Sequence, residues 1–216
     1  MHKYENISVP VIRRLPRYYR FLGELLQKDV TRISSRELSD KMGLTASQIR
    51  QDLNCFGGFG QQGYGYSVRG LYDQIGKILG LDHNYSAILI GAGNLGKAVA
   101  THMSFEKRGF QLIGIFDSDK NKEGTLIRGI PVTDIEELES FCSQNKTDAA
   151  ILCVPKTSTP QLAERLYQLG IRNFWNFSHY DISNMYDDII VENVHLNDSL
   201  MILCYRISDA NDVPEA

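Results

Sequence analysis

The apolar run Ala87-Ile88-Leu89-Ile90 passes directly into Gly91-Ala92-Gly93-Asn94-Leu95-Gly96, and this junction constrains the fold more than any other stretch of the chain. A short apolar run reads as a buried strand, and a Gly-x-Gly-x-x-Gly turn that opens a helix is a phosphate-binding turn of dinucleotide folds. Each glycine has its own physical reason: Gly91 for the tight turn, Gly93 for close approach of the backbone to a pyrophosphate, Gly96 for close packing of helix on strand. The helix N-terminus then offers N–H groups and a partial positive charge to phosphates, with Ala92, Asn94 and Leu95 completing the loop. The next apolar run, Leu112 to Phe116, ends in Asp117, 21 residues after Gly96. An acid at that place accepts hydrogen bonds from a ribose diol and repels a 2′-phosphate, so the residues favour NAD(H) over NADP(H).

Strand and helix patterns continue to alternate. An acidic helix is expected over 135–142, a strand over 149–154, a helix over 161–169 and a strand over 173–177. This order implies an α/β class with a Rossmann-type, doubly wound parallel sheet. Ile189-Ile190-Val191 reads as an edge strand. Leu196 to Ile207 reads as a helix with apolar residues at Leu196, Leu200, Leu203, Cys204 and Ile207, a face that must be buried on its own domain or on a partner chain.

The first 80 residues have a different character. Val11 to Lys28 reads as a helix with a basic start, and the pattern puts Pro16 in the first turn of its regular part. Ser34-Ser35-Arg36-Glu37 and Thr45-Ala46-Ser47-Gln48 are capping boxes that open two short helices, to about Met42 and Leu53, joined at Gly43-Leu44. That is a helix-turn-helix pattern. The glycine- and aromatic-rich stretch from Phe56 to Val68 reads as a wing, followed by a helix over 69–79 and a boundary near 80–84. The expected domains are a winged helix-turn-helix at 1–82, a Rossmann domain at 83–194 and a C-terminal helix at 195–216. Charge follows the division: residues 1–80 carry 12 Lys and Arg against 7 Asp and Glu, the remainder 11 against 19. A basic first part suits a polyanion such as DNA.

Other classes fit poorly. No apolar run approaches the roughly 18–20 residues of a membrane span, and no secretion signal is read at the N-terminus. The four cysteines are far apart with no CxxC pair, which suggests neither metal nor disulfide and fits the cytoplasm. About 40 residues follow the Rossmann unit, few for a substrate domain. His102, His179 and His195 stand at no motif spacing from a nucleophile or carboxylate, so the chain is not expected to be an enzyme and the dinucleotide is read as a ligand to be sensed.

The stretches RRLPRYYRFL, SSRELS, TASQIRQDL, FGGFGQQGYGY, IGAGNLGKA, IGIFDSD, Val154-Pro155 and ENVH at 192–195 together resemble the redox-sensing transcriptional repressors of the Rex family, over nearly the whole chain. The resemblance implies a homodimer with swapped C-terminal helices, bound to a palindromic double-stranded operator and released when NADH binds, with NAD+ competing weakly. It implies base contacts from Ser47, Gln48, Arg50 and Gln51, phosphate contacts from Arg14, Ser34 and Ser35, and a place for Thr45 among the DNA-binding residues. Val154, Pro155 and His102 join the cofactor site, and Arg20, His102 and His195 a switch. Family members usually carry a basic residue where this chain has Gln51 and another where it has Gln62 in the wing. Tyr and Asp often stand where it has His102 and His195. Three readings therefore remain open on the residues alone: an NADH-sensing repressor, an NAD(H)-binding paralogue with weakened DNA binding or altered redox response, and an NAD-dependent oxidoreductase.

Overall fold

The computed structural model describes residues 7–57, 60–61 and 65–211, the side chains of 60 and 61 excepted. It divides into two compact units, residues 1–83 and 84–216.

The first unit contains α1 (Val9–Leu26), β1 (Arg32–Ile33), α2 (Ser35–Met42), α3 (Ala46–Asn54), β2 (Gly60–Gln61), β3 (Gly65–Ser67) and α4 (Val68–Ile78). The strands form an antiparallel sheet in the order β1-β3-β2, and β2 with β3 is the expected wing hairpin after α3. Leu15, Tyr18 and Leu22 of α1 meet Leu38, Ile49, Leu53, Leu71 and Ile75 in a closed core. One expectation is corrected. Helix α1 does not begin at Pro16 but at Val9, with Pro10 in its first turn and Pro16 inside. Pro16 removes one backbone hydrogen bond, but it is on the exposed side, and burial of Val11 and Leu15 before it carries the helix through.

The second unit is built on a seven-stranded sheet: β4 (Tyr85–Ile90), β5 (Phe110–Asp117), β6 (Leu126–Ile127), β7 (Ile130–Asp134), β8 (Ala149–Leu152), β9 (Asn173–Asn176) and β10 (Ile190–Asn193). Its order is β10-β9-β8-β4-β5-β7-β6. All pairings are parallel except β6 with β7. The first strand, β4, lies mid-sheet, and the chain winds outward first to one side and then to the other. The crevice of such a sheet lies at the carboxyl ends of β4 and its neighbours. Helix α5 (Asn94–His102) packs on one face through Val99 and Ala100. Helices α6 (Leu138–Gln144) and α7 (Thr159–Gln168) cover the other through Leu138, Leu162 and Leu166. The β6–β7 hairpin was not foreseen. Its two-residue turn puts Arg128 at φ 55° and Gly129 at φ 80°, a tight hairpin turn with an uncommon first residue.

The C-terminal helix α8 (Leu196–Asn211) is exposed along its described length. Leu200, Leu203 and Ile207 are 64, 52 and 54% exposed. Among the described residues, no helix is long and apolar enough to cross a membrane.

Candidate dinucleotide cleft and candidate DNA-facing helix

A cleft of about 820 Å³ opens at the carboxyl ends of the central strands, within the usual range for small-molecule sites. Gly91 follows β4, Asp117 ends β5, Val154 and Pro155 follow β8, and Phe177, Ser178 and His179 follow β9; all line it. The three glycines differ as their assigned parts require. Gly91 has φ +98°, and a Cβ there would lie 2.4 Å from the Cys153 carbonyl oxygen. A Cβ on Gly96 would lie 1.8 Å from the Gly91 carbonyl oxygen, so only glycine lets α5 approach the turn. A Cβ on Gly93 would meet nothing within 4 Å. The space above Gly93 is open, and no side chain caps the N-terminus of α5 that begins there. This is a cradle shaped for an anion at backbone distance.

Asp117 is almost wholly buried and is held from three sides. The Ala92 N–H and the Lys122 ammonium donate to its Oδ2 at 2.7 and 2.9 Å, and the Asp119 N–H donates to Oδ1 at 2.9 Å. Burial alone would raise its pKa, but the donors from Asp119, Lys122 and Ala92 outweigh it and hold the group below its ordinary value. Asp117 is therefore charged at neutral pH. Cys153, also on the cleft wall, is pushed by burial up to about 12, so it lines the site as a neutral thiol.

Asn176, fully buried, fixes the far wall. Its amide donates to the Tyr180 carbonyl and to Asn193 Oδ1, and its own oxygen accepts from the Ser178 N–H and hydroxyl. His179, between Ser178 and Tyr180 of that network, lines the cleft. The ring of His195, just before α8, stands near-parallel to His179, with centroids 6.4 Å apart. Of the residues expected around the cofactor, Gly91, Gly93, Asn94, Leu95, Asp117, Val154 and Pro155 line the cleft. Ala92 and Gly96 are not lining residues; Ala92 meets the cleft through its N–H to Asp117, and Gly96 packs against the Gly91 carbonyl. His102 is at the opposite end of α5, about 12 Å along the helix axis, and is not among the lining residues. Lys122 and His179 were missed as cleft residues. Lys122 carries no motif signal, whereas His179 follows directly on the strand expected at 173–177.

In the first unit, the capping box at Ser34 closes in both directions: the Glu37 N–H donates to Ser34 Oγ and the Ser34 N–H to Glu37 Oε2. The second closes only halfway. Thr45 Oγ1 accepts from the Gln48 N–H, but the Gln48 side chain turns away and donates to Asp52 at 2.9 Å. Asp52 is fully buried at the centre of a network, accepting also from Arg14 Nε and Nη2 at 2.6 and 2.7 Å and from Tyr18 Oη at 2.9 Å. Burial opposes its charge, but hydrogen bonds from Arg14, Gln48 and Tyr18 hold its pKa below the ordinary value. Two of the three guanidinium nitrogens of Arg14, Nε and Nη2, are engaged by Asp52, and its side chain is 26% exposed. The exposed residues of α3 are Ser47, Arg50, Gln51 and Asn54, one stripe at i, i+3, i+4 and i+7. Asn54 was missed, although that spacing points to it. Arg50 donates to Ser35 Oγ at 3.1 Å, joining the stripe to the start of α2. Arg20 is on the exposed side of α1, and Gln62 lies outside the described residues.

A winged helix joined in one chain to a Rossmann unit with an open glycine cradle defines a class of two-unit proteins. Residues 6–54 match the family described as putative DNA-binding protein N-terminus, and residues 82–180 match the family described as CoA binding domain. The chain is 58% identical to the redox-sensing transcriptional repressor Rex of Thermoanaerobacter pseudethanolicus, over 97% of this chain and 93% of the relative. It is also similar to two crystal structures of RSP, a Rex-family repressor. In complex with β-NAD+ and operator DNA, RSP is 57% identical with a TM-score of 0.87, over 95% of this chain and 94% of that one. In complex with β-NADH, it is 54% identical with a TM-score of 0.87, over 95% and 96%. The chain belongs to the Rex family of redox-sensing transcriptional repressors.

Proposed function

We propose that this chain is a DNA-binding transcriptional repressor that senses the NADH/NAD+ ratio and releases a palindromic operator when NADH binds. The observation that carries the reading is the open cradle over Gly93 beside the charged Asp117, in a chain that also presents the exposed stripe of α3. The solved relative, bound in one crystal to β-NAD+ with operator DNA and in another to β-NADH, supports it.

In this reading the α5 N-terminus and the Gly91–Gly96 turn hold the pyrophosphate, Asp117 holds the adenosine ribose, and Val154, Pro155 and His179 border the nicotinamide side. Ser47, Arg50, Gln51 and Asn54 face bases, and the Ser34, Ser35 and Thr45 helix starts face phosphates. Arg14 and Gln48 support α3 through Asp52 rather than reaching outward. Gln62 in the wing contributes no cation, which lowers the salt dependence of binding. Two copies pair, each α8 covering its apolar face on the other, and Arg20, His102 and His195 take part in the switch between dimer arrangements. Coupling requires only that NADH bind the DNA-incompetent arrangement more tightly than the DNA-competent one. The chain works in the cytoplasm and binds its dinucleotide as a signal rather than as a reactant.

Band shifts on a palindromic promoter fragment, with NADH and NAD+ titrated separately, test this reading. Release at lower NADH than NAD+ is expected. Absence of DNA binding at low salt refutes the DNA role, and binding indifferent to NADH refutes the sensing role.

A further inference from the structure

The Asp117–Lys122 pair goes beyond the expected ribose contact. Asp117 has two oxygens, and three donors already occupy them: Ala92 N–H, Asp119 N–H and the Lys122 ammonium. A carboxylate accepts about four hydrogen bonds, so Asp117 keeps room for about one from a ribose hydroxyl and cannot serve both hydroxyls of the diol alone. Lys122 has the complementary stock. Its ammonium offers three N–H donors, sits 2.9 Å from Asp117 Oδ2 and 3.8 Å from Asp119 Oδ2, and lines the cleft. Its side chain is 29% exposed, and Asp117 is its one side-chain partner within 3 Å among the described residues. The pair therefore presents one acceptor group and one cation side by side where the adenosine ribose would lie.

We propose that Lys122 is the residue through which this cleft responds to phosphorylation of the adenosine ribose: it is a counter-ion for a 2′-phosphate, held from that part chiefly by the Asp117 charge. This deepens, and rests on, the reading of the cleft as a dinucleotide site. With Asp117 charged, the ammonium is committed to the carboxylate and donates its remaining hydrogens to a ribose hydroxyl oxygen. A 2′-phosphate arriving at that place meets the Asp117 charge and, beside it, Asp119. Once the Asp117 charge is removed, the Asp119 carboxylate at 3.8 Å is the one remaining competitor among the described residues, and the ammonium can pair with phosphate through a charge-assisted hydrogen bond, which is among the strong ones. A cleft with an acid but no neighbouring cation would gain much less from losing the acid.

The test is calorimetric titration of the full-length protein with NADH and with NADPH, on wild type, D117N, K122M and D117N/K122M, each first checked by thermal melting. Wild type binds NADH more tightly. D117N, which keeps the side-chain volume and one acceptor oxygen, should tighten NADPH relative to NADH by about tenfold or more. K122M leaves Asp117 unscreened and should widen the preference for NADH by several-fold, a result that does not depend on how well D117N folds. The double variant should lose the gain in NADPH shown by D117N. Equal NADPH affinity in D117N and D117N/K122M overturns the role of Lys122, as does K122M with an unchanged NADPH-to-NADH ratio. Wild-type protein that binds neither dinucleotide is a different failure: it overturns the reading of the cleft itself.

Discussion

Replacing Asp52 by alanine removes the acceptor for four hydrogen bonds at once. Arg14 loses bonds of 2.6 and 2.7 Å, Tyr18 one of 2.9 Å and Gln48 one of 2.9 Å. Tyr18 is fully buried, so its hydroxyl is left without a partner, at a cost of about 1–3 kcal/mol. Breaking a buried ion pair costs about 3–5 kcal/mol, but the Arg14 side chain is 26% exposed and recovers part of that by reaching water. About 3 kcal/mol for D52A follows, with D52N at about half, because it keeps one acceptor oxygen and the volume. Urea unfolding followed by far-UV ellipticity measures the loss. The single tryptophan, Trp175, is in the second unit and gives a separate fluorescence signal. The helical signal of D52A should fall at lower urea than the Trp175 transition, and operator binding should fall with it while NADH affinity is retained. The pH dependence has a definite sign. The Asp52 pKa is lowered in the folded state from an ordinary 3.8. Its stabilisation is therefore complete well above that value and is lost as pH falls below it through the folded pKa. The difference between wild type and D52N should be constant from neutral pH down to about pH 5 and shrink below about pH 4. A D52A protein within about 0.5 kcal/mol of wild type refutes the network as a support for α3.

Gly93→Ala should melt as wild type does, since its Cβ enters open space, yet weaken NADH by about tenfold in calorimetry, whereas Gly91→Ala should lower the melting temperature because its φ of +98° and the Cys153 carbonyl oppose a side chain. Arg50→Ala should cost about 1–3 kcal/mol of operator binding in band shifts and leave NADH binding unchanged. Leu200→Asp with Leu203→Asp should shift the protein toward a monomer in sedimentation, because the exposed apolar face of α8 then cannot be covered by a second copy. Gln62→Arg should tighten DNA binding and steepen its dependence on salt, measured by anisotropy across a salt series.

Features set by neighbouring residues were legible in the order of amino acids alone. An apolar run followed by three glycines and, further on, by an acid specifies the dinucleotide turn. Ser34 and Glu37, three apart, specify a cap that the structure closes, and the alternation of runs specifies the parallel sheet. Encounters between groups whose sequence separation carries no pattern depend instead on how the folded chain packs. Arg14 and Asp52 are 38 residues apart, and once the core of α1 against α3 brings them together, a buried carboxylate draws in every donor within reach. That is why the Arg14 and Gln48 side chains both donate to Asp52. The Asp117–Lys122 pair was hidden differently: five residues apart, it depends on the course of the loop after β5, which periodicity does not specify. The β6–β7 hairpin escaped because its turn begins with Arg128 in a conformation usually signalled by Asn, Asp or Gly. Local chemistry fixed the parts, and burial, which acts between distant segments, decided which charged groups remain available to a ligand.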